Sequence, residues 1–159
     1  MESKDGSSSS SPVEFSVLFS DLVRLETELW ELVDRRLRSD HDLPLSWFEP
    51  MQVIDRVEDC RVADIAEALS ITVGGVSKLV DRIEGAGWCD RAPNPNDARS
   101  SVLMLTPGGR RELAAAKASF SDELALRLGD AVSPHRLAAF ESTLCEVRQH
   151  IANQREAAR

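Results

Sequence analysis

Apolar residues recur at helical spacing through most of the chain. Phe15, Leu18, Phe19, Leu22, Leu25, Leu29, Leu32, Val33 and Leu37 form one stripe and predict a helix over residues 13–37. That stripe is longer than one small domain covers, and each buried Leu or Phe contributes roughly 1.5–3 kcal/mol. The helix therefore calls for a partner, within the chain or in a second subunit. Residues 38–45 are polar and read as a loop ending in Pro44. Ser46-Trp47-Phe48-Glu49 then has the form of a capping box, serine at N-cap and glutamate at N3. It opens a helix through Met51, Val53, Ile54 and Val57 that tolerates Pro50 near its start. Ile65, Ala66 and Leu69 mark a further short helix, followed by the turn Ser70-Ile71. Thr72 can cap the next helix, whose Val76, Leu79, Val80 and Ile83 fall at i, i+3, i+4 and i+7, with Gly85 and Gly87 at its end.

The pattern then changes to short strands. Trp88 to Ala92 and Ser100 to Leu105 flank the turn-rich Pro93-Asn94-Pro95-Asn96-Asp97, and residues 60–62 are expected as a short third strand. Thr106-Pro107 starts a helix carrying Leu113, Phe120, Leu124 and Leu128, which Gly129 breaks. Ser133-Pro134 starts another, with Leu137, Phe140, Leu144, Val147 and Ile151 on one face. Residues 1–12, with five consecutive serines, read as a disordered tail, and residues 153–159 as a frayed end. Helix, tight turn, helix, hairpin is the outline of a winged helix-turn-helix.

The wording inside that outline is more specific. Ile65-Ala66 with Leu69, Leu79-Val80-Asp81-Arg82-Ile83-Glu84, Gly87-Trp88, Asp97-Ala98-Arg99 and Leu105-Thr106 with Gly109 occur in fixed order and spacing. They resemble the MarR family of bacterial transcription regulators, in which the pattern runs L-A-x-x-L, L-V-D-R-L-E, G-[LW], D-x-R and L-T-x-x-G. The resemblance extends more loosely over residues 15–151. It implies a mainly α fold with a small β-wing, a winged helix-turn-helix core flanked by N- and C-terminal dimerisation helices. The chain then divides into the tail (1–12), a dimerisation helix and loop (13–45), the DNA-binding domain (46–106) and C-terminal dimerisation helices (107–159). A homodimer acting in the cytoplasm on double-stranded DNA, most simply as a repressor at a pseudo-palindromic operator, is what the family implies.

Composition modifies this picture in one respect. The net charge of −8 opposes nucleic-acid binding, but the acid is unevenly spread. Residues 61–111 hold seven Lys or Arg against six Asp or Glu; the remainder holds 12 against 21, a net of −9. Acid outside the reading head repels phosphate at a distance and reduces non-specific association. No apolar run approaches the ~20 residues that span a bilayer, and no secretory signal is evident. Three cysteines without a C-x-x-C pair make neither a disulfide framework nor a zinc site. His41, His135 and His150 are scattered, and no nucleophile elbow or phosphate-cradling loop occurs, so no enzyme, metal or cofactor is expected.

The candidate chemistry lies in the second helix of the motif and the wing. A major groove admits one helix, whose first residues reach base edges. Thr72, Gly74, Gly75 and Ser77 are small and permit close approach, and Lys78 and Arg82 share a face and can meet phosphates or guanine edges. In the wing, Arg91 either meets DNA or pairs with Asp90 or Asp97. By resemblance, Arg99 reaches the minor groove while Asp97 braces the loop. Arginines common in the family at the positions of Ala92 and Ala98 are absent here, so the wing is less basic than usual. Family members bind small aromatic acids between dimerisation helices and reading head; Trp30, His41, Trp47, Phe48 and Arg56 are the expected lining, stacking on or pairing with an aromatic or anionic effector. The family's peroxide sensors carry a cysteine in the first helix, which this chain lacks. Cys60 is the remaining thiol candidate, because Arg61 beside it could lower its pKa. The competing reading is a winged-helix protein-interaction module with little DNA affinity.

Overall fold

The computed structural model describes residues 13–94 and 100–157. Its order is α1 (Phe15–His41), α2 (Leu45–Arg56), α3 (Val62–Leu69), α4 (Val73–Gly85), β1 (Cys89–Pro93), β2 (Ser101–Leu105), α5 (Pro107–Leu124) and α6 (Pro134–Ala157), with a π-helical turn, Ala125–Gly129, closing α5. The tail expected over residues 1–12, and Asp97 and Arg99 of the wing, lie outside the described residues.

One core serves the whole head. Val33 and Leu37 of α1, Phe48 and Met51 of α2, Ile65 of α3, Val76, Val80 and Ile83 of α4, Leu103 of β2 and Leu113 of α5 are all buried within it. These are the residues that helical and strand periodicity place on inward faces, so burial and pattern agree. β1 and β2 pair antiparallel with Cys89 opposite Leu105 and Arg91 opposite Leu103.

Four expectations change. The polar run after Leu37 is no loop: α1 continues to His41 and stops at Asp42, which is left-handed with φ 51°. Leu37 and Leu43 are buried, and Arg38 with Asp34 and Arg36 with Asp40 pair at i, i+4, so the polar residues form the solvent face of a longer helix. The Ser46 capping box does not form. The N-cap is Pro44, and the backbone N–H of Leu45 donates to Asp34 of α1 at 2.8 Å, so a carboxylate from another helix does what a local hydroxyl was expected to do. The third strand reduces to one bond, Leu103 N–H to the Cys60 carbonyl at 2.7 Å. The chain then turns into α3 at once, because Asp64 at N3 accepts from the Arg61 backbone N–H. Finally, α6 runs to Ala157 instead of fraying from residue 153.

Two long surfaces remain uncovered. Phe15 and Phe19 of α1 are 79% and 69% exposed, with Leu18, Leu22 and Val23 beside them. No residue of α6 is buried, and Phe140, Leu144, Val147 and Ile151 are open along it.

Candidate nucleic-acid interface

The motif's second helix is α4. Thr72 is its N-cap, its hydroxyl accepting from the Gly75 N–H at 3.2 Å. Because Val76, Val80 and Ile83 are buried, the opposite face is fixed outward: Gly74, Lys78, Asp81 and Arg82 are exposed and Ser77 is half-buried. The helix therefore presents Val73 and the side-chain-free Gly74 in its first turn, followed by two cations one turn apart. The two glycines differ. A methyl on Gly74 would meet nothing within 4 Å, whereas one on Gly75 would sit 3.1 Å from the Thr72 hydroxyl that makes the cap.

The wing is tied to this helix by charge. Arg91 of β1 reaches Asp81 of α4 at 2.6 Å and approaches Glu84 at 3.6 Å. The sequence suggested Asp90 or Asp97 as partners. Along an extended strand Asp90 points to the opposite face, while α4 packs against the side from which Arg91 projects. Asp81 and Glu84 were missed as functional residues; their spacing on the outward face of α4, seven to ten residues before a strand arginine, was the available signal. At the hairpin's open end, Asn94 donates through its amide to the Ser100 hydroxyl at 2.8 Å. Behind the wing, Trp47 and Trp88 pack edge to face at 5.7 Å.

The five expected effector contacts have different surroundings. Phe48 is wholly buried and stacked on Phe120 at 4.9 Å, so it belongs to the core and lines no cleft. The Trp47 ring packs against Trp88, and His41 faces α5 with both ring nitrogens engaged. Trp30 and Arg56 are exposed on α1 and α2. Arg56 lies near enough to Glu49 to oppose the rise in that carboxyl's pKa, which burial and the charge of Glu26 produce. A cavity of about 950 Å³ lies elsewhere, between α3 with the start of α4 and the far end of α6. Cys60 is buried, and burial first and Asp64 second push its thiol up to about 11 against the opposing pull of Arg61; Cys89 is likewise pushed to about 11. Neither is a reactive thiolate.

A helix-turn-helix with its second helix outward, followed by an antiparallel hairpin latched to it, is a winged helix-turn-helix. Residues 45–101 match the family model described as MarR family. The multiple antibiotic resistance protein MarR of Escherichia coli is 39% identical over 46 residues, which are 29% of this chain and 32% of that protein; the matched stretch thus spans about a third of that relative. Among solved structures, Sco3205, a MarR family transcriptional regulator from Streptomyces coelicolor in complex with DNA, is similar with a TM-score of 0.78 at 21% identity, covering 89% of this chain and 94% of that one. The transcriptional repressor CouR bound to a 23-mer DNA duplex gives a TM-score of 0.74 at 26% identity, over 87% of this chain and 99% of that one. Over residues 45–101 in sequence, and over the described chain in fold, this protein is thus similar to the MarR family of transcriptional regulators.

Proposed function

We propose that the protein is a sequence-specific regulator of transcription that binds double-stranded DNA as a homodimer, most simply as a repressor on a pseudo-palindromic operator. The observation that supports this most is the outward face of α4, where Gly74, Ser77, Lys78 and Arg82 stand clear of a core built from the same helix's other face. Thr72 and Gly75 set its first turn, and Asp97 and Arg99 are proposed for the wing tip. The DNA-bound relatives support the same reading. The exposed stripes of α1 and α6 are proposed to meet their copies in the partner, which divides the chain into head (46–106) and pairing helices (13–45 and 107–159). No helix among the described residues is long and apolar enough to cross a membrane, in keeping with action in the cytoplasm. Two-fold symmetry sets half-sites about one helical turn, ~10 bp, apart. Effector control, by an aromatic or anionic molecule near Trp30, His41, Trp47 and Arg56, would act by shifting the spacing of the two α4 helices.

One observation favours a second reading. Arg91 is already neutralised by Asp81 and Glu84, so an acidic dimer with a subdued wing could dock a protein instead. Selection of bound fragments from random duplexes, followed by a salt titration, separates the two. The proposal expects a recurrent two-fold site, binding that weakens steeply with salt, and a dimer by light scattering. A monomer, or a protein that prefers no duplex sequence over bulk DNA at low salt, refutes it.

A further inference from the structure

We infer that Asp81 and Glu84 are positioning residues that keep Arg91 off the DNA backbone and so set how weakly the head holds arbitrary duplex. This deepens the proposed function and rests on it. Arg91 sits on β1 opposite the buried Leu103, and the place of the strand against α4 is set two residues earlier. There Cys89 is buried on the same face, its sulfur 4.0 Å from the Val80 carbonyl oxygen. From that fixed root the guanidinium crosses to α4. Its Nη2 donates to Asp81 Oδ1 at 2.6 Å, and its Nε lies 3.6 Å from a Glu84 carboxylate oxygen. Only 30% of the Arg91 side chain is exposed.

Charge decides what this cluster does beside a duplex. One positive and two negative groups carry a net of −1, so the seam between α4 and the wing is acidic where the arginine alone would make it basic. Asp81 also stands between Lys78 and Arg82 on the outward face of α4, with 57% of its side chain exposed. An ionised carboxylate has no hydrogen to give a phosphate oxygen, whereas it accepts from arginine in a charge-assisted bond. Contacts to phosphate supply essentially all of the affinity for arbitrary DNA. Two carboxylates that hold the wing strand's arginine therefore remove one such contact and add like charge next to it.

Each phosphate neutralised adds about 0.9 to the slope of log affinity against log salt. Asp81→Ala brings the cluster to neutral and frees Nη2. The slope on a random duplex should then steepen by about 0.9, so that affinity falls about 3.5-fold further between about 50 and 200 mM salt. Arg91→Gln alone should leave the slope where it is, because the held arginine makes no phosphate contact to lose. The pair of variants thereby separates a held arginine from one that leaves its carboxylates when DNA arrives. In the second case Arg91→Gln flattens the slope and Asp81→Ala changes it little.

Fluorescence anisotropy titrations of the full chain against one random duplex, repeated over that salt range, test it. Asp81→Ala should give the steepest slope, and Glu84→Gln, which alters the more distant carboxylate, a smaller change in the same direction. Wild type, Arg91→Gln and the double variant with Asp81→Ala should share one slope. Alanine at an exposed position of α4 favours the helix, and Glu84→Gln serves should Asp81→Ala not fold. An Arg91→Gln slope flatter than wild type by about 0.9, or Asp81→Ala and Glu84→Gln slopes both equal to wild type, overturns the inference and leaves the DNA-binding reading standing. A wild type that holds no duplex even at the lowest salt fails the proposed function itself and takes the inference with it.

Discussion

Replacing Gly109 with alanine tests how the wing is mounted on α5. Gly109 is the third residue of α5 and is buried against the backbone of Trp88. A methyl placed there would overlap the Trp88 carbonyl oxygen, with the carbonyl carbon 2.8 Å away and Cα at 3.1 Å. All three obstacles are main chain, so no side-chain rotation relieves them. The start of α5 must retreat, and the bonds that hold it to the wing root stretch: the Thr106 N–H to Trp88 O at 3.0 Å and the Thr106 hydroxyl to Gly87 O at 2.8 Å. Overpacking of this kind costs about 1–3 kcal/mol, and each weakened hydrogen bond about 1 kcal/mol. Alanine's better helix propensity returns at most about 1 kcal/mol. The net loss is about 2–4 kcal/mol, which for a chain of this size lowers Tm by about 5–15 °C. The assay is a calorimetric melt at fixed protein concentration, because subunit pairing makes Tm concentration-dependent. Gly108→Ala is the control: its methyl meets only the Thr106 hydroxyl at 3.5 Å and the far end of Arg111 at 4.0 Å, so its Tm should hold. Equal melting of Gly109→Ala and Gly108→Ala would refute the reasoning.

Two further outcomes are expected. Gly74→Ala and Gly85→Ala both fill open space on α4, so neither should lower Tm, but only Gly74→Ala, on the proposed DNA side, should weaken binding to a selected operator, by about ten-fold, the equivalent of about 1.4 kcal/mol; equal binding by the two variants in a fluorescence anisotropy titration counts against the proposed orientation of the helix. Glu49, whose carboxyl is pushed above its ordinary value of 4.5 by burial and then by Glu26, binds its proton more tightly folded than unfolded. Its contribution to stability is therefore fully present below pH 4.5 and is lost as pH rises through the folded value. Glu49→Gln should raise Tm at pH 7 and lose that advantage toward pH 4; a gain of the same size at both ends contradicts the assignment.

How far the sequence could be read differs by kind of interaction. Periodicity found every helix, and Thr72 and Thr106 were legible as caps because their partners, the N–H groups of Gly75 and Gly109, lie three residues on. The α2 start was misread because its cap is Asp34, eleven residues back on another helix, and no local pattern reports that. The end of α1 was misread for a related reason: a polar run looks like a loop until Leu37 and Leu43 are known to be buried beneath it. In the site, the outward face of α4 followed directly from its inward one. Arg91 was recognised as important, but its partners depended on how the hairpin lies on α4, a tertiary fact. Phe48 fills the core beside Phe120, a place the sequence does not distinguish, because an aromatic residue reads alike whether it fills a core or lines a cleft.

The latch between Arg91 and α4 also bears on how this head could choose its DNA. An arginine satisfied by Asp81 and Glu84 offers phosphate little, and Arg61 is likewise held by Asp64 at 3.1 Å. Within the described part of the head, attraction then falls largely to Lys78 and Arg82, and Asp81 sits between them on the same exposed face. Each neutralised phosphate contributes a salt slope of about 0.9, so a head with few available cations holds arbitrary DNA weakly. The net of −9 outside residues 61–111 weakens that hold further. On the proposed function, discrimination then comes from fit, and the start of α4 is where fit can be close: Gly74 carries no side chain, and among the described residues a methyl there meets nothing within 4 Å. A wing strand latched by Arg91 and a glycine in the helix's first turn suit the proposed regulator, which would release wrong sequences readily and hold the right one by contact with the groove.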